Sequence, residues 1–248
     1  MSKSDSADAK LPIAEIFYSI QGEGFWTGTP MVFVRLAGCN VGRYQLHDQP
    51  LPFEPPSQAL QADSLRKQYA ICTTADEQFF RCDTDYHATA SMTQSELIDE
   101  FRKLECERMC ITGGEPFMHD GLEALIHAFL AVTQPRLCIH VETSGTKPIP
   151  SGLDMYFDDT LWITCCPKKG FLPENAYFVT EWKFLVGPEF NPQAVRDITK
   201  DSDAPVFLQP INGINSLDKS NLQRCQELIL ENPDWRLSTQ LHKILRVR

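Results

Sequence analysis

Short apolar runs closed by polar segments containing Gly or Pro recur along the second half of this 248-residue chain. Met109-Cys110-Ile111-Thr112 opens into Gly113-Gly114-Glu115-Pro116, and Leu137-Cys138-Ile139-His140-Val141 into Glu142-Thr143-Ser144-Gly145. Leu161 to Cys165 ends in Cys166-Pro167-Lys168, and Pro205 to Leu208 ends in Gln209-Pro210. Trp182 to Val186 reads as another strand. Helical patterns fall between them. Thr93-Gln94-Ser95-Glu96 is a capping box ahead of Leu97, Ile98, Phe101 and Leu104. Asp120 is placed to cap a helix whose apolar face carries Leu122, Leu125, Ile126, Phe129 and Leu130. A helix at about 217–231 and a strand from Trp235 to Gln240 end the series. Strand–helix alternation of this kind predicts an α/β barrel or an open α/β sheet, in which ligands bind at the C-terminal strand ends. Thr112, Glu115, Glu142, Ser144, Lys168 and Gln209 then converge on one mouth. A single polar loop after a strand carries little weight, but four at one edge make a pocket.

The first half supplies what faces that mouth. Ile13 to Ile20 leads into Gln21-Gly22-Glu23-Gly24, a turn whose glycines permit close backbone approach. Met31 to Leu36 is a strand carrying Arg35, and an Arg in an apolar run is usually paired or reading an anion. Residues 1–11 read as a flexible leader and 12–248 as a single α/β domain, with 43–81 inserted in the loop that follows this strand. Pro50, Pro52, Pro55 and Pro56 exclude a regular element early in the insertion, and Asp63 to Tyr69 is predicted as a short helix.

Charged residues are 23% of the chain, and the net charge of −10 excludes a phosphate-coating nucleic-acid binder. The polar N-terminus has no apolar segment of a secretory signal, and no run approaches the ~20 residues of a membrane-spanning helix. Nine cysteines without such a signal fit a reducing cytoplasm and metal-bound or free thiols. Cys39 precedes the insertion, Cys72 lies within it and Cys82 follows it, opening Cys82-Asp83-Thr84. Three thiolates suit a [4Fe–4S] cluster with one open iron. Zinc is the alternative, with His47 or His87 as fourth ligand. Free core thiols are the third reading. Lengthening a cysteine spacing from 3 to 32 residues costs only about 2 kcal/mol of loop-closure entropy, so the insertion does not forbid a shared site.

These segments resemble the radical S-adenosylmethionine enzymes, and within them the 7-carboxy-7-deazaguanine synthase family. The resemblance runs from Gln21-Gly22-Glu23-Gly24 through Arg35, Gly38-Cys39-Asn40, Cys82-Asp83-Thr84 and Thr112-Gly113-Gly114-Glu115-Pro116. It continues through Glu142-Thr143-Ser144-Gly145, Cys166-Pro167-Lys168 and Gln209-Pro210-Ile211 to Leu241-His242-Lys243. It implies an open β/α barrel, a [4Fe–4S] cluster on Cys39, Cys72 and Cys82, and S-adenosylmethionine on the fourth iron. Gly114, with Glu115 nearby, would meet the cofactor's amino group, Glu142 and Ser144 its ribose, and Cys166, Pro167, Lys168 and Gln209 its remaining surface. Ile20, Gln21, Gly22, Glu23, Arg35 and Thr112 are implied as substrate contacts, and Thr84 as a Mg²⁺ ligand. The implied reaction starts with hydrogen abstraction from 6-carboxy-5,6,7,8-tetrahydropterin. It ends, after ring contraction and loss of ammonia, in 7-carboxy-7-deazaguanine. The resemblance also implies a homodimer and a flavodoxin or ferredoxin as electron donor, while charge and hydropathy lead us to expect no nucleic-acid or membrane partner.

The chain departs from the superfamily's Cys-x3-Cys-x2-Cys spacing, and Cys72 is the middle ligand by its proximity to Cys82. Cys106 and Cys110 imitate the first spacing without a third thiol and read as core, Cys165-Cys166 is a second such distractor, and Cys138 and Cys225 read as core or surface thiols. Cys166 stands where the family usually has Ser. Two other functions remain in view, a zinc-braced binding module and a radical enzyme that activates a protein partner.

Overall fold

The computed structural model describes residues 10–44, 70–84, 87–132, 138–156, 160–213 and 216–247. The predicted 63–69 helix, the insertion's prolines, His47 and most of the leader lie outside them. Strand β1 (Leu11–Ile20) starts inside the leader drawn from sequence and pairs antiparallel with β2 (Pro30–Leu36). The insertion contributes β3 (Arg43–Tyr44), β4 (Ala70–Thr73) and β5 (Phe79–Arg81), a small antiparallel sheet of its own. Then follow β6 (Ala90–Met92), α1 (Gln94–Arg102), β7 (Arg108–Gly113), α2 (Leu122–Val132), β8 (Cys138–Thr143) and β9 (Leu161–Cys165). The chain continues through β10 (Glu181–Val186), α3 (Pro192–Thr199), β11 (Val206–Pro210), α4 (Lys219–Glu231), β12 (Trp235–Leu237) and α5 (Leu241–Leu245).

The large sheet has the order β12-β11-β10-β9-β8-β7-β2-β1-β6 and does not close among the described residues. From β2 to β12 every neighbouring pair is parallel. The predicted capping box at Thr93 is present, with its side chain receiving the Glu96 N–H. The crossovers from β8 to β9 and from β9 to β10 carry short 3₁₀ segments, Ser151–Tyr156 and Pro173–Phe178. Pro148, Pro150 and Pro173 crowd these connections, and proline deprives a helix of backbone donors. Helix α3 was not foreseen, although Asn191 accepts from the Gln193 N–H as its N-cap and Pro192 opens its first turn.

Two-residue strand periodicity sorts the sheet into two faces. Met109, Ile111, Ile139, Val141 and Ile163 pack into the helix-side core with Leu97, Phe101, Leu125 and Phe129 of α1 and α2. Further along, Trp182, Phe184, Val206 and Leu208 pack with Val195 of α3 and with Cys225 and Leu228 of α4. The intervening positions, Cys110, Thr112, His140, Glu142, Thr164, Lys183 and Gln209, therefore take the opposite face. That face is polar, and it is where the site lies.

Candidate active site

Cys39 follows Gly38 at the end of β2, Cys72 lies on β4, and Cys82 follows β5, its N–H donating to the Ala70 carbonyl at 2.8 Å. All three line one cavity of about 1130 Å³ at the C-terminal strand ends. The insertion reaches it because its small sheet is tied to the ends of β9 and β10. Thr74 bridges Lys168, the Ala75 N–H donates to the Pro167 carbonyl at 3.1 Å, and the Lys169 N–H donates to Thr73 at 3.0 Å. Gln78 donates to the Leu185 carbonyl at 3.2 Å and accepts from the Gly187 N–H at 2.9 Å.

The donor set fits an iron–sulfur cluster. Cys72 donates a hydrogen bond to Cys82, which draws the Cys82 thiol down to about 7 and pushes Cys72 up. Burial raises Cys39, whose sulfur accepts the backbone N–H groups of Val41 at 3.4 Å and Gly42 at 3.5 Å. Such N–H donors are the surroundings that tune a cluster thiolate. Gly114 allows the loop after β7 to lie against this turn, since a Cβ there would sit 2.1 Å from the Gly38 carbonyl. A zinc with Zn–S bonds of about 2.3 Å gathers its ligand atoms to within about 4 Å of one another. The three thiols form no such group. The ligand atoms that do lie within 4.8 Å of one another among the described residues belong to Cys110, His140 and Glu142.

Beneath the thiols the polar sheet face is a network of fixed charges. Lys183, on β10, is ion-paired with Glu23 and lies 3.9 Å from Glu142. Burial disfavours all three charges. The Lys183 ammonium outweighs it at both carboxylates, holding Glu23 down to about 2 and Glu142 below the usual range. Their combined field in turn keeps Lys183 charged despite its burial. Glu142 also accepts from Thr112 at 2.9 Å and Gln21 at 3.2 Å. Arg35 lines the cavity with its Nε held by Glu15 at 2.8 Å. Glu181 lies below the Gly24 turn, accepting from the Phe25 N–H and Trp162 Nε1, and burial raises its carboxyl to about 7.

Most of the residues expected at the site come together here. Ile20, Gly22, Thr84, Gly114, Ser144 and Cys166 line the cavity, as do Lys168 and Gln209. Glu115 does not. It is fully buried, and its carboxylate is taken up by the Thr143 hydroxyl, the Ser144 N–H and hydroxyl, and the Phe117 N–H. It braces the two loops after β7 and β8 and has no free oxygen for an amino group. Pro167 also stays out of the lining and serves through its carbonyl. Glu142, expected beside a ribose, lines the cavity and is bonded to Thr112 and Gln21, which were expected on the substrate side. Cys166 accepts from Lys168 Nζ at 2.7 Å, so the thiol in the Ser position keeps a polar role. Cys110, Cys165 and Cys225 are fully buried core thiols.

Among the lining residues to which the sequence reading gives no site role are Lys183, Gln240, His242 and Lys243. Lys183 had a legible signal, a lone cation inside an apolar strand. The other three follow β12, where sequence spacing says nothing about a return to the mouth.

An open, mainly parallel sheet whose C-terminal edge gathers three thiols over a polar floor is the arrangement expected of the radical S-adenosylmethionine enzymes that the sequence resembles. The comparisons narrow it. No protein-family model matches the chain. It is 30% identical over 241 residues to the 7-carboxy-7-deazaguanine synthase of Bacteroides thetaiotaomicron, covering 95% of this chain and 98% of that protein. It is 31% identical over 261 residues to the synthase of Prochlorococcus marinus, covering 96% and 98%. The crystal structure of QueE from Escherichia coli superposes with a TM-score of 0.63 at 23% identity, covering 97% of this chain and all of that one. The chain belongs to the 7-carboxy-7-deazaguanine synthase family.

Proposed function

We propose that this protein converts 6-carboxy-5,6,7,8-tetrahydropterin into 7-carboxy-7-deazaguanine with loss of ammonia. The observation that carries the reading is that one cavity holds Cys39, Cys72 and Cys82 on one wall and the Arg35–Glu15 and Glu23–Lys183–Glu142 charges on its floor. Cys39, Cys72 and Cys82 hold a [4Fe–4S] cluster, which with S-adenosylmethionine supplies radical hydrogen abstraction. Gly114 leaves room for that cofactor beside Cys39, and Ser144, Cys166, Lys168 and Gln209 border it. Arg35, oriented by Glu15, offers a guanidinium edge to the pterin carboxylate. Thr112 and Glu142 present a hydroxyl and a carboxylate to the ring's donors and acceptors. Ile20, Gly22 and the buried network around Gln21 and Glu23 shape the floor and keep water from the reacting carbon. The Thr84 hydroxyl is a hard oxygen ligand for Mg²⁺ beside the substrate. The enzyme works as a cytoplasmic homodimer, drawing its electron from a flavodoxin or ferredoxin. Within it, residues 43–81 are the insertion that delivers the second thiol.

Anaerobic reconstitution tests this directly. Roughly four irons per chain, an EPR signal in the reduced protein that changes with S-adenosylmethionine, and pterin-dependent product are expected. Cys72→Ala is expected to lose the signal. One zinc per chain and no signal would sink the reading in favour of a zinc-braced module. 5′-Deoxyadenosine formed without any pterin-dependent product would point to another substrate.

A further inference from the structure

We propose that His140 is a positioning residue, acting through the Gln21 amide to hold Glu142 and the Gly22–Glu23 turn in the geometry that receives the pterin. The inference rests on the substrate reading above and deepens it.

Cys110 and His140 are directly paired across β7 and β8, and Glu142 lies two residues on, so all three side chains share the site face of the sheet. Their ligand atoms converge as a metal site would, but the centre is filled. Gln21 Nε2 lies 3.9 Å from Cys110 Sγ, 3.4 Å from His140 Nδ1 and 3.2 Å from Glu142 Oε1. The orientation of the amide is forced by its partners. A carboxylate only accepts, so Nε2 must face Glu142. A backbone N–H only donates, and that of Glu23 reaches Gln21 Oε1 at 3.2 Å. Gln21 is 3% exposed, its N–H donates to the Thr29 carbonyl and its own carbonyl accepts from the Gly28 N–H. It therefore serves the substrate indirectly, by fixing what stands around it.

The second amide hydrogen needs an acceptor, and Nδ1 of His140 is placed to provide it. That requires a neutral ring carrying its proton on Nε2, which then donates to Thr164 Oγ1 at 2.6 Å. Complete burial keeps the ring in that state, holding its pKa down to about 4. With Nδ1 removed, the neighbour left for this hydrogen among the described residues is Cys110 Sγ, a weak acceptor at 3.9 Å. The amide then turns, and Glu142 and the Glu23 N–H lose their fixed partner together.

The test is steady-state kinetics on cluster-loaded protein with the pterin and with S-adenosylmethionine varied separately. His140→Leu is expected to raise KM for the pterin about tenfold, with kcat within about twofold and KM for S-adenosylmethionine and iron content unchanged. His140→Asn returns an acceptor near the Nδ1 position and is expected to recover most of the loss. Equal pterin KM values in wild type and His140→Leu overturn the inference. So does an equal loss in both variants accompanied by lower iron content or Tm, which marks packing alone. A wild type that forms 5′-deoxyadenosine but no pterin product overturns the substrate reading and this inference with it.

Discussion

At the scale of single residues, the site depends on charges that the sequence displays unevenly. Arg35 and Lys183 carry the same signal, a lone cation in an apolar strand, yet only Arg35 comes with recognisable neighbours in sequence. The carboxylates that make Lys183 legible, Glu23 and Glu142, sit 160 and 41 residues away along the chain and meet it only through the sheet order. Removing the cation with Lys183→Met leaves both carboxylates buried and unpaired, a loss of about 3–5 kcal/mol at neutral pH. The sign against pH follows from Glu23. Its folded pKa is depressed from 4.5 to about 2, so the wild type holds this stabilisation above 4.5 and loses it as pH falls toward 2. The variant has none to lose, and the gap between the two urea midpoints is expected to close over that interval. A gap independent of pH would refute the pairing. Glu181 has the opposite sign. Its folded pKa is raised from 4.5 to about 7, so its contribution is present below 4.5 and is lost as pH rises through 7. Glu181→Gln keeps an acceptor for Phe25 and Trp162 and is expected to be the more stable protein above pH 7, by the same urea titration.

At the scale of elements, the parallel strands were legible because each is a buried apolar run with a polar exit. Their two faces were not assigned from the sequence, although period two would have separated Cys110, His140 and Lys183 from their helix-facing neighbours. The insertion resisted for another reason. Its strands are short, β4 with four residues and β5 with three, and their position is set by long-range bonds rather than by pattern. Gln78 is the main tie, reaching Leu185 and Gly187 at the end of β10 and Asp76 at 2.8 Å within its own turn. Gln78→Ala leaves the Leu185 carbonyl and the Gly187 N–H without that partner, each costing about 1–3 kcal/mol where buried. The cost falls on the hairpin that carries Cys72 and leads to Cys82. Iron is therefore expected to leave the variant faster under a chelator, while far-UV circular dichroism is unchanged. Wild-type iron retention would show that the thiols are positioned without this tie.

At the scale of the whole molecule, an open sheet leaves β6 and β12 at opposite edges, and the segment after β12 crosses back to the mouth between them. Ser238 accepts from the Gly24 N–H at 3.0 Å and donates to Gln209 at 2.8 Å. Gln240 donates to Glu23 at 3.1 Å, and the Leu241 N–H donates to the Gly22 carbonyl at 2.9 Å. Lys243 joins Asp83 at 2.7 Å and the Gly213 carbonyl at 3.0 Å. One short segment thus ties the β1–β2 turn, the exit of the cysteine hairpin and the loop after β11. Gly22 is needed for this approach, since a Cβ there would lie 2.5 Å from His242 Nδ1. A strap of this kind couples its anchor points, so loosening one end should loosen the others. Lys243→Met removes a largely buried ammonium from Asp83, and a hydrogen bond to a charged group is worth about 1.5–3 kcal/mol. Amide hydrogen exchange is expected to accelerate at least about tenfold at residues 21–24 and 82–84 together, with β7 to β11 unchanged. Acceleration confined to residues 240–247 would mean that the segment rests on the mouth without holding it, and that the floor charges alone keep the site in shape.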